Sequence, residues 1–375
     1  MVKINHTLLM GALIAGFASS ASAQSSVTIT GELDAGLRYQ KNANGDTLKG
    51  IQNGGFGASR IAISGAEDLG GGLRAKFRLE MAPNLATGAV SNFGLFNRQS
   101  TLSLESKQWG EIMAGRFLTT TANLLCEVDL HWCASSFNGT GIMYNGDTFG
   151  RWISGSPGRG GNSNRGISVF SGGNGTPGSA ESNRKNNAIS YISPSIQGIQ
   201  AKLMYARGDA GTAASNGQGD HFSASLRYSN KHLMLGISHE NIESDPLWDA
   251  KGHLTSIGGV YKFDKLRVGA IFQYERASGP QAGWTKASSW AITSAYQAGS
   301  FEPYLKFGQH RTNGVGAYGI QDGVDAFVIN VGSLYSLSRR TRLYVDFATD
   351  TKGSQGAGAN RHDPRSFKVG INHRF

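Results

Sequence analysis

The sequence has few of the features on which helical membrane proteins, helical bundles and fibres are built. Apolar residues make up only 39% of the 375 residues, and charged residues only 17%. A transmembrane helix needs about 20 consecutive apolar residues, and one short N-terminal run alone approaches that length. Glycine is abundant instead, with 53 residues. It shows no three-residue period, which excludes collagen, and its abundance argues against a helical bundle.

The chain also lacks signatures of several soluble functions. Its formal net charge is +10, but no helix-turn-helix, zinc finger or aromatic RNP motif accompanies that charge, so we predict no nucleic-acid binding. Neither G-x-S-x-G nor H-E-x-x-H occurs, so we predict no enzyme and no cofactor. The aromatic content of 10% is too high for a disordered polar chain.

The N-terminus has the pattern of an export signal. Lys3 supplies a positive charge, residues 8–17 form a short apolar core, and Ala21-Ser22-Ala23 is a small-residue cleavage motif. An N-terminal membrane anchor is the alternative, although the apolar run is too short to span a bilayer. We therefore expect residues 1–23 to be a cleaved signal peptide and residues 24–375 to form one exported domain.

Beyond that signal, apolar and polar residues alternate with the period of a β-strand. Val27, Ile29 and Leu37 fall on one face, whereas Glu32 and Arg38 fall on the other. The same pattern recurs sixteen times. The predicted strands are 27–39, 58–66, 73–81, 96–105, 110–117, 184–193, 199–207, 220–229, 232–242, 254–263, 266–276, 286–297, 301–312, 324–336, 341–350 and 365–375.

The connections between these strands alternate between short and long. Tight turns on one side and long loops on the other are typical of an outer-membrane barrel. An even strand number lets the first and last strands pair, and closure is required in lipid because an open edge leaves backbone groups unbonded. A soluble β-sandwich is the alternative, but it needs no such rhythm. The prediction is an all-β fold, a transmembrane antiparallel 16-stranded β-barrel.

In such a barrel the apolar faces contact outer-membrane lipid and lipopolysaccharide, and the polar faces line a water-filled lumen. Aromatic residues near strand ends are expected to form interfacial girdles. They are Tyr39, Tyr191, Tyr205, Tyr228, Tyr261, Phe263, Tyr296, Tyr335 and Phe375.

One connection, 118–183, is much longer than the others. Its first half contains apolar residues, which predicts that it folds into the barrel and narrows it; its Gly/Ser/Asn-rich second half is expected outside. Cys126 and Cys133 both lie in this segment, and a cysteine pair in an exported chain predicts a disulfide. A metal site that includes Asp129 and His131 is the alternative.

The basic residues fall mainly on the predicted lumen faces. Rings of Arg and Lys in a pore favour anions, and Glu127 and Asp129 in the inward loop would oppose them across the pore. Alternatively, neighbouring acids such as Glu32, Asp34 and Glu80 leave only weak selectivity. The basic residues with lumen parity are Arg38, Arg60, Arg74, Lys76, Arg78, Arg184 and Lys306.

Several motifs resemble the trimeric general porins of Gram-negative bacteria, especially the anion-selective porins of β-proteobacteria. The C-terminal stretch ends on an aromatic residue, Phe375, which is similar to the family's assembly signal. The matching stretches are Gln24-Ser25-Ser26-Val27-Thr28, Glu67-Asp68-Leu69-Gly70-Gly71-Gly72-Leu73, Ser100-Thr101-Leu102-Ser103-Leu104, Trp109-Gly110-Glu111, Ser193-Pro194, Tyr335-Ser336-Leu337-Ser338-Arg339-Arg340-Thr341 and Gly370-Ile371-Asn372-His373-Arg374-Phe375.

The resemblance implies a homotrimer of sixteen-stranded barrels with an inward third loop, and places Arg60, Arg98 and Arg184 at the constriction. Arg98 shares its parity with Leu102 and Leu104, so it needs a bulge to point inward. The long loop departs from the family pattern, because it carries the cysteine pair and lacks an acidic Pro-Glu-Phe-Gly stretch.

Together these features predict a passive channel for small hydrophilic solutes and inorganic anions. A substrate-specific outer-membrane channel and a surface receptor or adhesin barrel are the alternatives.

Overall fold

The computed structural model describes residues 26–41, 47–90, 94–130, 184–207, 220–245, 250–279, 283–315, 325–351 and 365–375. The predicted signal peptide lies outside these residues and stays a prediction. Within the described ranges, no helix is long and apolar enough to cross a membrane.

The described residues form one antiparallel sheet of seventeen strand segments and one helix, α1 (Thr120–Val128). The strand segments are β1 (Ser26–Lys41), β2 (Thr47–Asn53), β3 (Arg60–Gly70), β4 (Leu73–Met81), β5 (Gln99–Ser106), β6 (Gly110–Leu118), β7 (Arg184–Ile192), β8 (Ile199–Ala206), β9 (His221–Ser229), β10 (Leu233–Asp245), β11 (Ala250–Phe263), β12 (Leu266–Gly279), β13 (Gly283–Tyr296), β14 (Phe301–Val315), β15 (Asp325–Ser336), β16 (Thr341–Asp350) and β17 (Arg365–Arg374).

These segments make sixteen wall strands, because β2 and β3 share one position in the wall. The first part of β1, 26–32, pairs with β3, and its later part, 35–41, pairs with β2. The segment 54–59 interrupts this second wall strand. The sixteen-stranded barrel is therefore confirmed, whereas the predicted second strand, 58–66, covers only the β3 part.

The barrel closes between its first and last strands. β1 pairs with β17 from Glu32–Arg374 to Lys41–Arg365. At the chain end, Gly31 N–H donates to the Phe375 carbonyl oxygen at 2.9 Å, and Phe375 N–H donates to the Gly31 carbonyl oxygen at 3.1 Å. This closure satisfies backbone groups that lipid would otherwise leave unbonded.

The closing contact also explains one glycine. The ring of Phe375 lies over Gly31 where a Cβ would otherwise stand, and the Arg60 carbonyl oxygen is 2.9 Å from that Cβ position. We expect Gly31→Val to destabilise the barrel by about 1–3 kcal/mol, the usual cost of overpacking. Urea unfolding, followed by the heat-modifiable mobility of the folded barrel on gels, measures it. Ala35→Val, on the same outward strand face, is the control; equal midpoints for the two variants would refute the prediction.

The predicted strand faces are confirmed. Outward side chains such as Val27, Leu37 and Leu102 are more than 60% exposed, whereas inward Asp34 and Lys368 are almost fully buried. The exposed apolar side chains on the outer wall form the surface that contacts lipid. Most of the predicted girdle aromatics are exposed on this surface.

The short connections lie at one end of the barrel, as predicted. Asp264 and Lys265 alone join β11 to β12, and 337–340 join β15 to β16. Between β3 and β4, Gly70, Gly71 and Gly72 all have positive φ, from +60° to +82°, which glycine adopts without steric cost. This explains the Gly-Gly-Gly motif as a tight turn.

Candidate functional site

The chain enters the barrel interior directly after β6. Thr119 caps α1, because its side-chain oxygen accepts a hydrogen bond from Ala122 N–H at 3.2 Å. The helix then buries Leu124, Leu125 and Val128 inside the barrel. The described start of the long 118–183 connection therefore folds inward, as predicted, although Leu118 still belongs to β6; residues 131–183 lie outside the described residues.

Glycines in the wall make room for this helix. A Cβ on Gly236 would overlap a Leu124 methyl carbon, and one on Gly269 would lie 2.5 Å from the Val128 carbonyl oxygen. The same carbonyl accepts a hydrogen bond from Thr293 Oγ1 at 3.2 Å. α1 is consequently seated against β8–β12, with no space for a larger residue at Gly236 or Gly269.

The N-terminal end of α1 is fixed by a buried carboxylate. Glu240 Oε1 accepts a hydrogen bond from Thr121 N–H at 3.0 Å, and Glu240 Oε2 is 3.2 Å from His221 Nε2. Thr121 Oγ1 also lies 2.8 Å from Ser238 Oγ. The sequence did not reveal this anchor, because Glu240 and His221 are remote from the loop and follow no motif.

An ion pair fixes the other end of the helix. Lys306 Nζ donates to Asp129 Oδ1 at 2.7 Å, and both side chains are at most 1% exposed. Asp129 therefore binds the helix to β14. It does not act as a free negative charge in the pore.

Beside the helix lies a cavity of about 650 Å³. Among the described residues, nine arginines and lysines and four carboxylates line it, so this part of its lining is basic. The charged lining residues are Arg60, Arg78, Glu80, Arg98, Glu127, Asp129, Arg184, Arg227, Lys262, Arg267, Glu302, Arg342 and Arg374.

Two carboxylates, Glu80 in the cavity lining and Glu32 behind it, each contact two guanidinium groups. Glu80 accepts from Arg98 Nε at 2.7 Å and from Arg78 Nη2 at 2.5 Å. Glu32 lies 2.5 Å from Arg60 Nη2 and 3.7 Å from Arg374 Nε. A permeating ion therefore meets more positive than negative charge here.

The carboxylates in these groups are also the more deeply buried partners. The Glu32 side chain is 1% exposed against 19% for Arg60, and Glu80 is 9% exposed against 14% for Arg98 and 36% for Arg78. The guanidinium groups stand in front of the carboxylates, so they dominate the electrostatic surface of the cavity.

Arg98 reaches the lumen without a bulge in β5. It lies in a bend before the strand begins at Gln99, where alternation no longer fixes its direction. Its N–H donates to the Glu80 carbonyl oxygen at 3.1 Å, and its side chain turns to the carboxylate of the same residue.

Most of the other predicted constriction residues also line the cavity. Arg184 begins β7 and is 8% exposed, and Glu127 forms an ion pair with Arg227. Cys126 also lines the cavity. Cys133 and His131 lie outside the described residues, so the Cys126–Cys133 disulfide stays a prediction and the metal alternative stays open.

Besides Lys306, three basic residues with predicted lumen parity lie away from this cavity. Arg74 pairs with Glu105, and Lys76 lies 3.3 Å from Glu105 and 3.0 Å from Glu111. Arg38 Nη1 donates to Gln40 Oε1 at 3.4 Å. Alternation assigns a residue to a strand face, but it does not give the height of that residue along the barrel.

Sequence reasoning missed several basic residues of the cavity. All lie on the polar face of their strands, next to a short connection or, for Arg374, next to the C-terminus, and this combination could have identified them. They are Arg227, Lys262, Arg267, Arg342 and Arg374.

A closed sixteen-stranded wall with an inward helix and a charged lumen can conduct solutes. Comparisons with known proteins agree with a channel. A family model described as Gram-negative porin matches residues 11–355. The chain belongs to the Gram-negative porin family. It is therefore an outer-membrane channel protein, not an enzyme.

Individual porins are similar over nearly the whole chain. Outer membrane porin protein 32 of Delftia acidovorans is 30% identical over 98% of this chain and 99% of its own length. A major outer membrane protein P.IB of Neisseria gonorrhoeae is 25% identical over 94% of this porin and 96% of its own length.

A solved structure, the anion-selective porin from Comamonas acidovorans, superposes with a TM-score of 0.73. It is 26% identical, and the match covers 94% of this porin and 100% of that chain.

Proposed function

We propose that this porin is a passive diffusion channel for small hydrophilic solutes that prefers anions. The arrangement of the cavity carries this proposal: Glu80 and Glu32 each lie behind two guanidinium groups. A fixed positive surface lowers the barrier for anions and raises it for cations. The likeness to a solved anion-selective porin supports the same preference.

The remaining acids do not cancel the basic excess. Glu127 pairs with Arg227, and Glu302 Oε1 lies 2.7 Å from Arg267 Nη2, so each of these acids offsets one arginine. Lys262 and Arg342 add further positive charge to the lining. The net field in the cavity therefore favours anions.

The test is the reversal potential of the purified porin in planar bilayers under a KCl gradient. We expect a chloride-over-potassium preference that declines as mean salt rises from ~0.1 M to ~1 M, because the Debye length falls from ~10 Å to ~3 Å. A cation preference, or no preference at the lowest salt, would exclude the anion proposal. Saturable block by one solute would instead indicate a substrate-specific channel, and absence of conductance a receptor or adhesin.

We further propose that the porin is a homotrimer, exported by a signal peptide over residues 1–23, with Phe375 as its assembly signal. The motif resemblance to trimeric porins supports this assembly. The pairing of Phe375 with Gly31 at the barrel seam is consistent with a terminal residue that completes closure. Conductance that appears in groups of three equal steps would demonstrate the trimer.

A further inference from the structure

Residues 54–59 leave the wall between β2 and β3 and fold into the barrel; we term them the hook. The Asp34 carboxylate holds their backbone. It accepts hydrogen bonds from Gly55 N–H at 2.7 Å, Gly57 N–H at 2.9 Å and Phe56 N–H at 3.3 Å. Gly54 N–H donates to the Asp34 carbonyl oxygen at 3.0 Å. This set of bonds defines one conformation for a segment that lies outside the sheet.

The hook also packs against the inner face of the last four wall strands. Phe56 is 3% exposed and belongs to an apolar cluster with Tyr304, Leu334 and Tyr344, on β14, β15 and β16. Lys368 Nζ, on β17, donates to the Gly55 carbonyl oxygen at 3.1 Å. The hook therefore covers the inner face of β14–β17.

The hook and α1 together cover adjoining parts of the wall. α1 lies against β8–β12, and Leu130, just beyond α1, packs against the clusters of both α1 and the hook. This continuous cover leaves the inner face of β3–β7 facing the lumen.

Charged side chains directly under the hook and α1 are less exposed than lumen-facing ones on β4. Lys306 and Lys368, on the covered wall, are each 1% exposed, whereas Lys76 and Arg78, on the uncovered wall, are 30% and 36% exposed. All four residues lie on the polar faces of their strands, which point into the lumen. The cover, and not strand orientation, therefore explains the difference in exposure. The cover does not extend to the whole wall, because Arg227, Arg267 and Arg374, which line the cavity, are 37%, 31% and 30% exposed.

We propose that the hook is a second constriction element, which with α1 confines permeating solutes to the wall that carries Arg60, Arg78 and Arg98. This inference rests on the proposed channel function and adds the route of permeation. The hook ends directly before Arg60, and Arg60 Nη1 lies 3.4 Å from the Ala58 carbonyl oxygen. The segment that narrows the pore therefore adjoins an arginine that attracts anions.

The covered wall would offer ions a different route. Its lysines are matched by acids, since Lys306 pairs with Asp129 and Lys368 Nζ lies 3.6 Å from Asp346 Oδ1. Opening the hook would also release the Asp34 carboxylate from its backbone N–H partners, so it would add a path without an excess of positive charge. Conductance should then rise while the preference for anions falls.

The first experiment compares single-channel conductance and reversal potential of Phe56→Gly with those of the wild type. Phe56→Gly removes the ring that packs the hook against β14–β16 but leaves every cavity arginine in place. We expect higher conductance and a lower anion-to-cation permeability ratio. Phe272→Gly, the same change on the lipid-facing surface, is the matched control and should leave both quantities at wild-type values.

The second experiment tests the cover with the hook intact. In a Cys126→Ser/Cys133→Ser background, Lys368→Cys and Lys76→Cys are labelled with a small anionic thiosulfonate. We expect Lys368→Cys to react at least ~10-fold more slowly, which corresponds to about 1.4 kcal/mol for opening the hook. Adding Phe56→Gly should remove most of this difference.

The outcomes separate the two proposals. Unchanged conductance in Phe56→Gly, or equal labelling rates in the intact protein, would overturn the hook as a constriction element. Higher conductance with an unchanged permeability ratio would overturn the confinement to the basic wall. A wild type without anion preference would refute the proposed selectivity, while conductance and labelling would still decide whether the hook narrows the pore.

Discussion

Replacing both Arg60 and Arg98 with serine is expected to reduce the anion-to-cation permeability ratio about tenfold at low salt. Unit charges ~7 Å apart in water interact with about 0.6 kcal/mol, and screening over the ~10 Å Debye length at ~0.1 M salt roughly halves this energy. Each guanidinium favours an anion and disfavours a cation by that halved amount, so the permeability ratio changes roughly threefold per site. The reversal potential in a KCl gradient at ~0.1 M measures the change.

Removal of Arg60 should have the larger effect of the two. It leaves Glu32 with Arg374 Nε at 3.7 Å as its described arginine neighbour, so a partly compensated carboxylate then faces the cavity. Removal of Arg98 leaves Glu80 Oε2 at 2.5 Å from Arg78 Nη2, which is a shorter contact. Single variants should therefore rank in this order.

Arg74→Ser is the matched control for this prediction. Arg74 has the same lumen parity, but it pairs with Glu105 away from the cavity, so its loss should change the ratio little. Arg60→Lys keeps the charge and should retain most of the selectivity. If Arg74→Ser lowers the ratio as much as Arg60→Ser, selectivity is a property of total lumen charge and not of this cavity.

Breaking the ion pair at the end of α1 is the second large change. Asp129→Ala leaves Lys306 buried without that carboxylate, and the loss of one partner of a buried ion pair typically costs about 3–5 kcal/mol. The helix escapes this cost by leaving the wall, which gives Lys306 access to water. We expect greater open-channel current noise, altered conductance, and a lower temperature for the heat-induced shift in gel mobility.

The double variant Asp129→Leu/Lys306→Met distinguishes the cause. It removes both charges, and replacing a buried ion pair with apolar residues of similar volume is often neutral. We expect it to restore quiet channels and most of the thermal stability. A double variant as noisy and unstable as Asp129→Ala would show that the shape of the site, not its unbalanced charge, holds the helix.

Much of the barrel was predictable because one physical contrast governs every wall strand. Lipid outside and water inside force alternation of apolar and polar residues, so Val27 and Leu37 face outward while Glu32 and Asp34 face inward. The hook was not predictable in this way, because Gly54 to Ser59 carry no alternation and their fold depends on the Asp34 carboxylate.

The candidate site was predictable only in part. Arg60 and Arg184 were found from strand parity and motif resemblance, and both line the cavity. Arg74 and Lys76 share that parity but lie elsewhere, since height along the barrel depends on register and stagger. Arg227 and Arg342 were missed for the same reason.

The sequence by itself determined the strand number, the two faces of the wall and the excess of positive charge in the lumen, since these follow from local alternation between two solvents. Only the tertiary structure decided where the lumen stays open. That depends on contacts between distant residues, such as Lys306 with Asp129, 177 positions apart, and Tyr344 with Asp34, 310 positions apart. Such contacts arise when the closed wall brings remote strands face to face with the inward segments, and no local pattern records them.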